Sequence, residues 1–155
     1  MTVFPEEHLD SPAGYFLGYP GLTLKSGEWI IVRKLGWGKR SSVWLVQNTS
    51  NAEEFRAIKI FTIDESKGTA ASNELRNLGT EGIGSVDLAQ LQDSFHEGEH
   101  LCLVFNPHGI TIEDMRSSNT AAGYVAVHIA KQVASWTLAA LLSLQDVNLV
   151  HNGAL

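Results

Sequence analysis

Over the first two-thirds of the chain, apolar residues come in short β-branched and aromatic stretches separated by turn residues. Glu28–Leu35 (Glu-Trp-Ile-Ile-Val-Arg-Lys-Leu) predicts a strand, Gly36–Ser41 a turn, and Ser42–Gln47 (Ser-Val-Trp-Leu-Val-Gln) a second strand closed by the turn chemistry of Asn48-Thr49-Ser50-Asn51. Glu54–Thr62 predicts a third strand, with Phe55, Ala57 and Lys59 on one face and Ile58 and Ile60 on the other. Strands this close together, joined by short turns, imply an antiparallel meander. Thr69–Leu78 predicts a helix ended by Gly79. Leu91–Phe95 and Glu99–Phe105 predict a hairpin around His96-Glu97-Gly98, and Thr111–Met115 a short helix. Ala121–Gln145 predicts the longest helix. Its Val125, Ile129, Val133, Trp136, Ala140 and Leu144 recur at helical spacing, while Leu138, Leu141 and Leu142 make other faces apolar, so it is expected to be buried on most sides. Residues 1–26, with Pro5, Pro12 and Pro20, predict an irregular leader. The class is α+β, with five antiparallel strands and one helix packed on them.

Composition narrows the function. Among 155 residues, 44% are hydrophobic, enough for one domain with a real core. Eleven Lys and Arg against 17 Asp and Glu give a net charge of −6, which repels phosphate backbones and argues against nucleic acid. The one cysteine, Cys102, cannot form an internal disulfide, and the acidic N-terminal residues do not resemble a signal peptide; both point to an intracellular protein, cytoplasmic or nuclear. The glycosylation sequon Asn48-Thr49-Ser50 is then without consequence. The apolar stretch from Val125 to Val150 is interrupted by His128, Lys131, Gln132, Gln145 and Asp146, which argues against a membrane span.

Candidate chemistry centres on Gly36-Trp37-Gly38-Lys39-Arg40-Ser41-Ser42-Val43. Two glycines one residue apart let backbone approach a phosphate with no Cβ in the way, although glycine turns between strands are common and a plain hairpin turn is the more frequent reading of this segment alone. A dinucleotide loop would open a helix, whereas a β-branched strand follows here; Gly-Lys-Ser/Thr, the P-loop signature, is absent. Ala57-Ile58-Lys59 then places a lysine inside an apolar strand, facing either water or a phosphate. Glu74, in Ser72-Asn73-Glu74-Leu75-Arg76, is either a solvated helix residue or a partner for Lys59. The second hairpin runs into Leu103-Val104-Phe105-Asn106-Pro107-His108-Gly109, a buried strand followed by a polar segment.

In this order the elements resemble the N-terminal lobe of a eukaryotic protein kinase. Leu35-Gly36-Trp37-Gly38 with Ser41-Ser42-Val43-Trp44-Leu45 is similar to the glycine loop of the SR-protein kinases, with Ser41 at the third glycine, and Gly18-Tyr19-Pro20 resembles their leader with one residue missing. Arg40-Ser41-Ser42 and Ala57-Ile58-Lys59-Ile60-Phe61-Thr62 look most like fungal members. The resemblance implies a leader (1–26), a kinase N-lobe (27–105), and a hinge with part of a C-lobe (106–155). It implies ATP and Mg²⁺ as cofactors and transfer of phosphate to serine or threonine of an unspecified protein. Leu35, Val43 and Ala57 would sandwich adenine; Gly36, Gly38 and the backbone through Ser41 would cover the phosphates. Lys59 would contact phosphate and pair with Glu74. Phe105 would be the gatekeeper, and Asn106 and His108 would present hinge backbone groups.

The resemblance breaks at the end. Val150-His151 fits the start of the kinase catalytic loop, but its aspartate position falls on Gly153 or Ala154, which can neither accept a proton nor ligate a metal. The chain is therefore expected to be truncated and inactive in phosphotransfer, or to serve as a pseudokinase fragment that binds partners. His96-Glu97-Gly98-Glu99-His100 matches the zinc-protease pattern, but Gly98 and the strand-like flanks disfavour the helix that such a site needs.

Overall fold

The computed structural model describes residues 14–79, 89–118, 124–147 and 149. The chain divides into two compact units, Met1–Gly79 with Gln90–Pro107 and Thr80–Ala89 with His108–Leu155.

Among its described residues the first unit is a six-stranded antiparallel sheet carrying two helices. Its strands are β1 (Thr23–Leu24), β2 (Trp29–Gly38), β3 (Ser41–Asn48), β4 (Phe55–Phe61), β5 (Leu91–Glu97) and β6 (His100–Phe105). Their order is β1-β2-β3-β4-β6-β5, so the first four form the expected meander and the second hairpin adds through β6. One more strand is present than the five expected. From Gly14 to Leu22 the leader is irregular, but Thr23 and Leu24 pair with Ile30 and Trp29, and Leu24 is buried. A tight turn at Lys25–Gly27 makes this pairing possible, with Lys25, Ser26 and Gly27 all at positive φ. Two of those three carry a Cβ, so nothing in the composition announced the turn.

Side-chain alternation divides the apolar residues between the two faces of the sheet. Trp29, Ile31, Trp44, Val46, Ile58, Ile60, Cys102 and Val104 form one cluster, with Leu24 beneath them and Phe16 and Leu22 of the leader packed over it. Phe61, Leu101 and Leu103 belong to the other face. That face is covered by α2 (Thr69–Leu78), whose Ala71, Leu75 and Leu78 recur at i, i+4 and i+7 and form one stripe. Ala71 is fully buried, and its small side chain lets the helix lie close to the sheet.

Between β4 and α2 lies a helix that periodicity did not predict, α1 (Ile63–Lys67). Thr62, read above as the end of the strand, instead caps this helix, its Oγ1 accepting from Glu65 N at 3.3 Å. Ser66 then ties α1 to β6: its hydroxyl donates to Thr62 O (2.8 Å) and accepts from Leu101 N (2.9 Å).

The second unit contributes α3 (Ile112–Ser118) and α4 (Val127–Asp146). Helix α4 starts at Val127, later than expected. Ala126 is extended and makes no side-chain capping bond, and the Tyr124, Val125 and Val127 before and at the start are poor helix formers. The expectation that this helix is buried on most sides is also overturned. None of its described residues is buried, and Val127, Trp136, Leu138 and Leu142 are each more than half exposed. No helix among the described residues is long and apolar enough to cross a membrane. Val150, His151, Gly153 and Ala154, on which the catalytic-loop comparison rests, lie outside the described residues, as does Ala121.

Candidate functional site

Pairing register assembles most of the candidate residues on the α2 side of the sheet. Gly36 pairs with Val43, Val43 with Lys59, and Lys59 with Leu103, forming one row across β2, β3, β4 and β6. Two residues along, Leu45 pairs with Ala57, and Ala57 with Phe105, forming a second row. Residues two apart in a strand share a face, so Val43, Ala57, Lys59, Leu103 and Phe105 are neighbours on one surface. Ala57 is buried, while Val43, Lys59 and Phe105 are half-buried. Leu35 sits in the register shift between Lys34 and Gly36, an extra residue that re-aims the strand before its glycines, and it is 40% exposed.

The glycines do not form the six-residue turn predicted for them. Gly36-Trp37-Gly38 continues β2, paired with Val43, Ser42 and Ser41, and only Lys39 and Arg40 make the turn. The hairpin tip is held by Thr62 N donating to Arg40 O (3.0 Å) and by the Tyr15 hydroxyl donating to Gly38 O (2.8 Å). Nothing lies within 4 Å of where a Cβ would stand on Gly36 or Gly38. Open space above bare backbone is what a bulky anion needs in order to approach main-chain N–H groups. Ser41 is buried next to the turn of the hairpin, opposite Phe61 on β4.

Lys59 Nζ donates to both oxygens of Glu74, at 2.6 and 2.8 Å, and lies 4.7 Å from the centre of the Phe61 ring. Glu74 comes from α2, three residues beyond the buried Ala71 and one before Leu75, so the packing of the helix carries the carboxylate to the lysine. Both side chains keep access to solvent, 27% and 35% exposed. The pair therefore presents a fixed positive group at an accessible surface. Behind it, on the opposite face, Lys34 Nζ lies 4.9 Å from the Trp44 ring centre and 5.8 Å from that of Trp37, and burial lowers its pKa to about 8.

Asn106 follows β6 as exposed, irregular chain in the first unit. His108 belongs to the second unit, where it is also exposed. The strand-turn-strand setting of His96 and His100 excludes the helical zinc geometry; instead the His100 ring uses Nδ1 against Phe61 O at 2.7 Å, which requires the Nδ1–H tautomer. Among the described residues no group of three or more His, Cys, Asp or Glu side chains is placed to hold a metal. Sequence reasoning missed two participants. Leu103 is fully buried directly across from Lys59, and its place follows from strand alternation. Tyr15, in the leader, carried no local signal.

A six-strand sheet of this order, with a glycine-bearing first hairpin and a helix delivering a glutamate to a lysine of the third long strand, has the fold of a protein-kinase N-terminal lobe. A crystal structure of a kinase domain superposes with a TM-score of 0.69 and 21% identity, covering 86% of this chain and 39% of that one. In sequence the chain is related to SR-protein kinases. It is 34% identical over 110 residues to the serine/threonine-protein kinase SKY1 of Saccharomyces cerevisiae, covering 63% of this chain and 15% of the relative. It is 34% identical over 93 residues to the serine/threonine-protein kinase SRPK of Physarum polycephalum (55% and 22%), and 31% identical over 149 residues to the protein kinase dsk1 of Schizosaccharomyces pombe (89% and 27%). The chain thus spans about a quarter or less of these relatives, and the similarity is not confined to fungi. No protein-family model matches it.

Proposed function

We propose that the α2 side of the sheet binds ATP. Lys59 contacts the α- and β-phosphates and Glu74 holds its ammonium in place. The Gly36–Ser41 hairpin covers the phosphates with backbone, and Leu35, Val43 and Ala57 pack on the adenine. Phe105 closes the back of the pocket, and Asn106 offers backbone groups to the base edge. Residues 27–105 act as the nucleotide-binding lobe and 106–155 begin the next. The observation that carries this reading is the bidentate Lys59–Glu74 pair on the same face as the open glycine hairpin. A strand lysine that only faced water would not need a helix to bring it a carboxylate.

The reaction proposed for the kinase is transfer of the γ-phosphoryl group of ATP to serine or threonine of a protein, as the names of the relatives state for them. Magnesium would enter as the ATP salt; the described residues include no ligand cluster for it, and no step is assigned to a protein-bound metal. With Gly153 or Ala154 at the aspartate position, these 155 residues are proposed to bind nucleotide without transferring phosphate themselves.

The test is a thermal melt with and without millimolar Mg-ATP. A ligand that binds only the folded chain raises the midpoint, so a shift of a few degrees is expected. A cooperative melt whose midpoint ignores ATP overturns the proposal. A second reading, a non-catalytic binding module, draws on the exposed Val127, Trp136, Leu138 and Leu142 of α4; it predicts that ATP has no effect while replacing those residues with polar ones abolishes self-association or partner binding.

A further inference from the structure

The leader does more than cover the core. Between Gly14 and Gly18 it is pinned on both sides of one tyrosine. Gly14 O accepts from Ile63 N at 3.0 Å, Phe16 lies edge-on to His100 with ring centres 5.4 Å apart, and Gly18 sits so close to Trp44 that a Cβ there would stand 2.8 Å from Cζ2. Held this way, Tyr15 reaches the glycine hairpin and donates its hydroxyl to Gly38 O at 2.8 Å, across 23 residues of sequence. Gly38 closes the last pair of the hairpin, opposite Ser41, and the next two residues form the turn.

That carbonyl is a consequential place for a tether. In a trans peptide the C=O and the following N–H point in opposite directions, so fixing Gly38 O toward Tyr15 fixes the Lys39 N–H away from it. The two glycines bring no side-chain packing to this end of β2, as the empty space around both shows, so beyond the ladder pairing with Ser41–Val43 and the Thr62 N–Arg40 O bond the Tyr15 hydroxyl is the contact that fixes its last peptide plane. The leader packs on the face opposite Lys59, through Phe16 and Leu22, and therefore acts on the hairpin from behind without entering the nucleotide site.

We propose that Tyr15 is a positioning residue for phosphate binding: its hydrogen bond to Gly38 O orients the hairpin backbone that covers the phosphates of ATP. This rests on the ATP-site reading above. The experiment compares the wild-type chain with Tyr15→Phe, which keeps the ring and removes only the hydroxyl. Without nucleotide, hydrogen exchange at the amides of residues 38–42 reads the tether directly and is expected to quicken roughly three- to tenfold, the loss of one ordinary hydrogen bond. Calorimetric titration then uses two probes, Mg-ATP and adenosine. Tyr15→Phe should weaken ATP by about the same roughly three- to tenfold factor and leave adenosine unchanged, because adenosine has no phosphates for the hairpin to cover. Unchanged exchange overturns the tether even if ATP binds normally. Equal weakening of ATP and adenosine, or equal ATP affinity in the two proteins, overturns the positioning role. If the wild type binds neither probe, the ATP-site reading itself falls and takes this role with it, while the exchange result still decides whether the tether exists.

Discussion

Replacing Lys59 with methionine should separate stability from nucleotide binding. Methionine keeps an unbranched stem against Phe61 and removes only the ammonium, 4.7 Å from that ring. In the free protein the Lys59–Glu74 pair is partly solvated, 27% and 35% exposed, and water can rehydrate the stranded carboxylate. Pairs of that exposure contribute about 0.2–1 kcal/mol, so the free variant should melt no more than a few degrees below the wild type. The ligand effect is larger. At 1 mM Mg-ATP and a Kd of about 50 µM, binding stabilises the folded state by RT ln(1 + [L]/Kd), about 1.8 kcal/mol. That corresponds to roughly 4–7 °C for a chain of this size. Lys59→Met should abolish this shift, because the bare Glu74 carboxylate it leaves repels phosphate. Glu74→Gln keeps the ammonium but loses half of its anchoring, and should retain a reduced shift. The assay is differential scanning fluorimetry of the three proteins across an ATP series. A full ATP shift in Lys59→Met would refute the assignment of this lysine to the phosphates, whatever the shift in the wild type.

Three further predictions come from other parts of the first unit. Gly18→Ala forces a methyl to 2.8 Å from the buried Trp44 indole and should lower stability by about 1–3 kcal/mol, whereas Gly36→Ala, with nothing within 4 Å, should leave the urea midpoint nearly unchanged and weaken Mg-ATP; the opposite ranking in urea would show that the leader does not press on Trp44. Cys102 is fully buried, and burial pushes its thiol up to about 12, so a chromogenic disulfide reagent at pH 8 should react only at the rate of unfolding; fast reaction in native buffer would contradict the packing of β6. The Lys25 ammonium bonded to Asp93 at 2.7 Å holds that carboxyl below its ordinary value of 3.8. A depressed carboxylate adds stability above its unfolded pKa and loses it as pH falls through the folded one. The advantage of wild type over Asp93→Asn, about 0.2–1 kcal/mol for so exposed a pair, should therefore be present at pH 6 and be lost in urea titrations as the pH falls below the ordinary carboxyl value of 3.8.

What the sequence made legible follows from what each element depends on. Strands β2 to β6 and α2 announce themselves because each buries an apolar set with its own period, and alternation alone put Ala57 and Lys59 opposite Ile58 and Ile60. The Lys59–Glu74 contact was an open choice in the sequence, since a helix glutamate costs nothing in water; only the stripe of Ala71, Leu75 and Leu78 turns it toward the sheet. Helix α1 was missed although Thr62-Ile63-Asp64-Glu65 carries the spacing of a capping box, because the β-branched run through Ile60 extended the strand reading past its end. Strand β1 could not be foreseen, since two residues offer no period and its turn depends on left-handed Lys25 and Ser26. Helix α4 failed differently: its all-round apolarity was correctly read, but the burial inferred from it needs cover that its described residues do not have.

The two faces of the sheet explain why a leader lies beside the proposed nucleotide site. A six-stranded sheet with apolar residues on both sides must be covered on both, yet a ligand needs part of one side left open. Here α2 covers the end of its face near Phe61 and Leu101, leaving Val43, Lys59 and Phe105 half-buried beside the hairpin. The opposite face, with Trp44, Val46, Ile58 and Cys102 at or near zero exposure, has no helix among the described residues of the unit to cover it, and the leader takes that role through Phe16, Leu22 and Leu24. Removing residues 1–24 should therefore destabilise the sheet by several kcal/mol, since the buried Leu24 contributes about 1.5–3 kcal/mol and the partly buried Phe16 and Leu22 a share of that each. It should also loosen the glycine hairpin, because the same segment carries Tyr15. Urea unfolding of a chain lacking residues 1–24 reads the first effect. A midpoint equal to that of the full chain would mean that the leader lies on the sheet without holding it, and that the open and closed faces are independent.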